Sequence, residues 1–126
     1  MDKKNADKEI IKDIIIRSVK KYRLKDPLYV NVIIESDIIS IYIKGILSKI
    51  GEVLFYKKEI ELMEKVWRNI KDVFIKEIIN EIDLEVGYSC ALISEVSDFE
   101  NDSRTLILRR QRLDWQDSNW FFNRPV

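Results

Sequence analysis

Apolar positions recur along this chain with two different periods, and each change of period marks a new element. Ile11, Ile14, Ile15, Val19 and Tyr22 fall on one side of a helix, with Glu9, Asp13, Arg17 and Lys20 opposite. Ile10 and Ile16 lie beside that stripe, so the apolar surface is broad enough to cover a neighbouring layer. The spacing predicts a helix from Asn5 or Ala6 to Tyr22. Asn5 is the expected N-cap, and Asp7 and Glu9 sit in the first turn, where carboxylates suit the helix dipole. The stretch Arg23 to Pro27 closes it, because Pro27 pushes Asp26 toward extended geometry.

A period of two follows. With Ser36 and Asp37 as loop residues, Ile34 faces Ile39, Val32 faces Ile41 and Val30 faces Ile43. Strand side chains alternate, so these six share one face, which must be the core face. Ile33 with Ser40 and Asn31 with Tyr42 make a mixed opposite face, and Gly45 ends the second strand. A longer loop beginning at Glu35 is the alternative, since neither loop residue is glycine.

From Leu47 to Ile82 the period returns to that of a helix. Leu62, Met63, Val66, Trp67, Ile70, Val73 and Phe74 form one stripe, and Ile75, Ile78, Ile79 and Ile82 form a second, rotated one. Either the helix bends near Phe74 to Lys76, or its second half packs against a different partner. The piece Ile50 to Phe55 reads as a separate short helix, because Gly51 and the Tyr56-Lys57-Lys58 stretch weaken continuity. Gly87 then opens a strand through Cys90, Leu92 and Ile93 to Val96. Asp98 to Arg104 reads as a polar loop and Thr105 to Arg110 as the closing strand. The fold class is therefore α+β in two layers, in the order α-β-β-α-β-β. An antiparallel four-stranded sheet packs on a long, bent or broken helix and on the N-terminal helix. Residues 1–112 make one domain and residues 113–126 a C-terminal arm.

Composition narrows the function classes. The chain has 126 residues, 46% of them hydrophobic, enough for a core without disulfides or metal. Its 22 basic and 22 acidic side chains cancel, so no overall field attracts nucleic acid or an anionic membrane. Histidine is absent, which removes the usual base near neutral pH and every His-ligated metal site. The single Cys90 sits in an apolar strand pattern and reads as a buried small hydrophobe rather than a nucleophile. Met1 to Lys8 lack an apolar leader core, so a cytoplasmic protein is expected.

Chemical motifs are few. Asp98, Glu100 and Asp102 alternate in one loop and are candidates for a hard cation, though a solvated turn accounts for them better. Catalytic, metal and cofactor residues are expected to be none. The cluster Arg109, Arg110 and Arg112 leads into Trp115, Trp120, Phe121 and Phe122. Interleaved basic and aromatic residues suit single-stranded nucleic acid, but Asp114, Asp117 and the neutral balance oppose it. These seven residues are instead the expected partner-binding set. A homodimer is also expected, because the two stripes of the long helix are wider than a monomer requires.

Several short segments carry a family resemblance. Asp26-Pro27, the hairpin, and Lys44-Gly45-Ile46-Leu47-Ser48 resemble the proline-led hairpin and "G-V-L-T" signature of the MpsC family. Val66 and Arg68 are similar to its "V-R-x-x-R" helix, Ser97-Asp98 to its "S-D" step, and Leu106-Ile107-Leu108 to its closing strand. The likeness covers about Leu24 to Arg110. The chain departs from the pattern at Leu24, Lys25 and Asp26, where the family is glycine-rich. After Leu47-Ser48 it has Lys49, Ile50 and Gly51 in place of "P-x-E", with Glu52 one position late. The resemblance implies a non-enzymatic, cytoplasmic accessory protein associated with a membrane ion or inorganic-carbon transport system, peripheral to the membrane through a transport subunit. A stand-alone dimeric regulatory or small-ligand-binding module, with a pocket between sheet and long helix, is the alternative.

Overall fold

The computed structural model describes residues 3–23, 25–46 and 59–111. Helix α1 spans Lys3–Arg23, strands β1 and β2 span Tyr29–Glu35 and Ile38–Lys44, and helix α2 spans Ile60–Val86. Strands β3, Ser89–Asp98, and β4, Ser103–Gln111, follow. All neighbours in the sheet are antiparallel, in the order β1-β2-β4-β3. The expected α+β class and element order are those of the structure.

The hairpin register is the expected one, pair for pair: Val30 with Ile43, Val32 with Ile41, Ile34 with Ile39. All six side chains are buried, joined from β4 by Leu106 and Leu108. Burying each such aliphatic chain stabilises by about 2 kcal/mol, so a slip of one residue would be heavily penalised. Helix α1 lies over β1 and α2 over β3, and the two helices touch each other. They run antiparallel: Arg17 meets Glu85 at 2.6 Å, Lys21 meets Glu77 at 4.0 Å, and Tyr22 packs edge-on against Phe74.

Three boundaries differ from expectation. Helix α1 starts by Lys3, so Asn5 is inside it rather than capping it; tertiary contacts hold the first turns, with Lys3 near the Tyr88 ring and Asp7 accepting from the Tyr88 hydroxyl. Helix α2 runs unbroken from Ile60 to Val86, which sets aside a broken helix and leaves the other expected alternative, a second half packed against a different partner. Met63, Trp67, Phe74, Ile78 and Ile82 form one slowly rotating buried stripe. Its first half meets β3 and its second half meets α1, so the change of partner, not a break, explains the change of phase. Leu62 and Val73, expected in the stripe, are exposed. The polar loop shrinks to 99–102, because β3 continues to Asp98 and β4 begins at Ser103. The expected short helix at Ile50 to Phe55, the start of the long helical run, and the C-terminal arm lie outside the described residues.

Both helices pack on one face of the sheet, and among the described residues none covers the other. That bare face carries Tyr29, Asn31, Ile33 and Glu35 from β1, Ile38, Ser40, Tyr42 and Lys44 from β2, and Thr105, Ile107 and Arg109 from β4. Tyr29 and Tyr42 touch edge-on across it, and Val96 of β3 is 59% exposed.

Candidate functional site

A bulge sets the chemistry of β3. Leu92 pairs with Leu108 and Ser94 with Ile107, leaving Ile93 as an extra residue. One inserted residue reverses the facing of everything beyond it. Glu95 and Ser97 thereby join the helix side of the sheet, opposite Leu106 and Arg104, while Val96 turns to the bare side. A polar pair thus faces the first half of α2, where an unbulged strand would have presented Val96.

Trp67 of α2 meets that pair. Its indole N–H donates to Glu95 Oε1 at 2.7 Å, and the Ser97 hydroxyl donates to Glu95 Oε2 at 3.1 Å. Behind them is Arg104, 0% exposed, with its guanidinium carbon 4.7 Å from the Trp67 ring centre and 4.4 Å from that of Phe99. Cation–π contact with two rings suits the weakly hydrated, planar guanidinium. Arg104 Nη1 donates to the Ser103 carbonyl at 2.8 Å, and Nη2 lies 3.8 Å from Asp102 Oδ1. Burial pushes Arg104 below the ordinary arginine value, while the carboxylates of Asp102, Glu95 and Asp98 pull it back up. It remains charged, as arginine does in proteins.

Asp102 joins this group to the end of the first hairpin. With φ +49 it turns the chain inward; its carboxylate accepts from the Ile46 N–H at 3.2 Å and its carbonyl from the Gly45 N–H at 2.9 Å. Gly45 and Ile46, the described part of the "G-V-L-T"-like step, therefore meet the turn between β3 and β4. In front of the two rings is a cleft of about 300 Å³, lined by Glu64, Trp67, Arg68, Lys71, Glu95, Ser97 and Phe99. Among the described residues Glu64, Arg68 and Lys71 make no ion pair. The cleft offers both signs of charge around two aromatic rings.

Of the seven expected partner-binding residues, Arg109 and Arg110 are described, and neither lines this cleft. Arg109 stands on the bare sheet face, opposite Ile38 and Ala91. Arg110 stands on the helix side, 4.4 Å from the Tyr88 ring centre, 3.7 Å from Asp37 and 3.4 Å from the Ser36 carbonyl. The two arginines thus face opposite ways. Arg112, Trp115, Trp120, Phe121 and Phe122 lie outside the described residues. In the acidic turn, Asp98 accepts from Asn101 while Asp102 points inward, so its carboxylates diverge; the described residues contain no group of three or more that could hold a metal. Cys90 is half-buried, and burial pushes its thiol up to about 11, so it is no thiolate nucleophile near neutral pH.

Sequence reasoning missed Arg104, Trp67, Phe99 and Glu95 as a group. One signal was present: Arg104 shares the parity of Leu106 and Leu108, the buried positions of the closing strand.

A family model described as Na+-translocating membrane potential-generating system (MpsC) matches residues 3–108. The match begins well before Leu24 and takes in the whole of α1. No curated protein and no solved structure matches the chain. No helix among the described residues is long and apolar enough to cross a membrane.

Proposed function

Because the chain belongs to the MpsC family, whose description names a Na+-translocating, membrane potential-generating system, we propose that it is a non-enzymatic accessory subunit of such a system, acting by docking on a membrane transport partner. The observation that carries this reading is the cleft between α2 and β3. Phe99 is the part-buried ring it presents, and Trp67, only 3% exposed, and buried Arg104 back that ring from within. Glu64, Arg68 and Lys71, which make no ion pair among the described residues, rim it with both signs of charge. Aromatic anchors beside arginine are the residues that dominate protein interfaces, and mixed rim charge fixes which partner binds. The same mixture fits a polar loop of another protein better than a single small ion. In this reading the protein works at the cytoplasmic side, and the aromatic arm from Trp115 to Phe122 offers a second contact.

The test is co-purification from membranes of tagged wild-type chain and of an Arg68→Glu/Lys71→Glu variant. Arg68 and Lys71 make no ion pair among the described residues, so the fold should survive, as circular dichroism would verify. The expected result is a membrane transport subunit retained by the wild type and lost by the variant, with a fall in Na+-dependent membrane potential in cells carrying only the variant. Equal retention by both would remove the cleft from the reading, and retention of no membrane protein would overturn it.

A further inference from the structure

Helix α2 carries an apolar line on the side away from the sheet. Leu62, Val73 and Leu84 are 43%, 54% and 79% exposed, and each stands eleven positions from the next. Every eleventh residue of a helix returns to nearly the same side, so the line runs almost along the axis. Half-buried Val66 and exposed Asn69 and Asn80 fill the turns between, and Glu77 is the one charge in the stripe. Met63, Trp67, Phe74 and Ile78 point the opposite way, into the core. The flank away from α1 carries Lys65, Asp72, Lys76 and Asp83, alternating in sign, and none of the four makes an ion pair among the described residues.

This stripe matches its own reverse. A two-fold axis crossing the helix at Val73 lays α2 antiparallel on the α2 of a second copy. Val73 then meets Val73, each Leu62 meets the Leu84 of the other copy, and each Glu77 meets an Asn69 amide. Val66 meets Asn80, and an asparagine in an apolar seam fixes register at some cost in stability. On the flank, Lys65 comes beside Asp83 of the second copy. The two Asp72 carboxylates stand by the axis, each with a Lys76 of the other copy beside it. The two-fold that keeps the helices parallel is worse. It sets Glu77 on Glu77 and Asp72 beside the Glu77 of the second copy, against one favourable meeting, Lys76 with Glu81. An isologous contact closes without leaving a growing end, and zero net charge on the chain leaves no overall repulsion to oppose it.

We propose that the outer face of α2 is the interface of a homodimer, in which the two α2 helices pack antiparallel about an axis at Val73. The α2–β3 cleft draws Glu64, Arg68 and Lys71 from another side of the helix, so this interface stands or falls independently of partner docking.

Light scattering of the full chain across a concentration series, for wild type and Val73→Glu, is the first half of the experiment. The proposal expects a wild-type dimer and association at least about tenfold weaker in Val73→Glu, with unchanged helicity by circular dichroism, because two carboxylates would meet at the axis. Disulfide trapping on a Cys90→Ala background is the second half. A chain carrying both Leu62→Cys and Leu84→Cys should cross-link into dimers, whereas Leu62→Cys alone should not. A monomeric wild type would overturn the proposal and leave the stripe to a helix of another protein. So would a dimer indifferent to Val73→Glu, cross-linking of Leu62→Cys with itself, or no cross-link in the double variant.

Discussion

Two glycines in the left-handed region allow the backbone of the hairpin–turn junction to be tested against an internal control. Gly45 has φ +81 and Gly87 has φ +75, so an alanine at either pays a similar conformational cost. That cost is about 1–2 kcal/mol, reduced by about 0.4–1 kcal/mol because alanine also restricts the unfolded chain. The surroundings differ. A Cβ at Gly87 meets nothing within 4 Å, whereas at Gly45 it would come within 2.7 Å of Leu28 Cγ and 2.9 Å of the Leu28 backbone nitrogen. The Leu28 side chain is largely exposed and can turn away. Its nitrogen cannot, because it donates to the Lys44 carbonyl at 2.9 Å and anchors the start of β1. Overpacking against fixed backbone adds about 1–3 kcal/mol. Gly87→Ala should therefore cost about 1 kcal/mol and Gly45→Ala about 3 kcal/mol. Urea unfolding followed by circular dichroism would give both values from midpoints at a common slope. For a domain of this size the melting temperature should fall by about 4 °C and about 12 °C. Equal losses at the two sites would refute the close approach of Leu28 to Gly45, and with it the account of why the hairpin ends there.

Other consequences follow from single contacts. Tyr88→Phe removes the hydroxyl that donates to Asp7, whose side chain is only 6% exposed, and should destabilise by about 1–3 kcal/mol on thermal unfolding. Ser36→Gly should raise stability by about 0.5–1 kcal/mol, since Ser36 holds φ +55 in the β1–β2 turn. Cys90 supplies a pH prediction: burial raises its thiol above the unfolded value, so the folded state favours the protonated form. Its contribution is present below about pH 9 and is lost as pH rises through about 11. Stability of the wild type should fall across that window more steeply than that of Cys90→Ala, and disulfide-reagent labelling at pH 8 should be far slower folded than in urea.

Most of the fold was legible because its signals are local and redundant. In the hairpin, six β-branched residues in strict alternation fix which face is buried, since a slip of one residue would expose Val30, Val32 and Ile34 together. Less was legible wherever two elements had to be known at once. The second stripe on α2 pointed to a bend or a change of partner, but a single helix cannot say that the neighbours are β3 and then α1. The extra residue at Ile93 has no marker such as glycine, yet it decides that Glu95 rather than Val96 meets Trp67. Arg104 was hidden for a related reason. An arginine beside Asp102 and Ser103 reads as loop, and its burial is made tolerable by the Trp67 ring from a distant helix together with Phe99, the Ser103 carbonyl and Asp102 of its own hairpin.

The cleft reading can be probed where it is most exposed to failure, by placing a photo-crosslinking amino acid at Arg68 in living cells. A second chain with the same group at Leu84, an exposed position near the far end of α2, serves as the reference. The account predicts that Arg68 captures a membrane protein of a Na+-translocating system and that Leu84 does not. Identical products from the two positions, or capture of no membrane protein at Arg68, would contradict it.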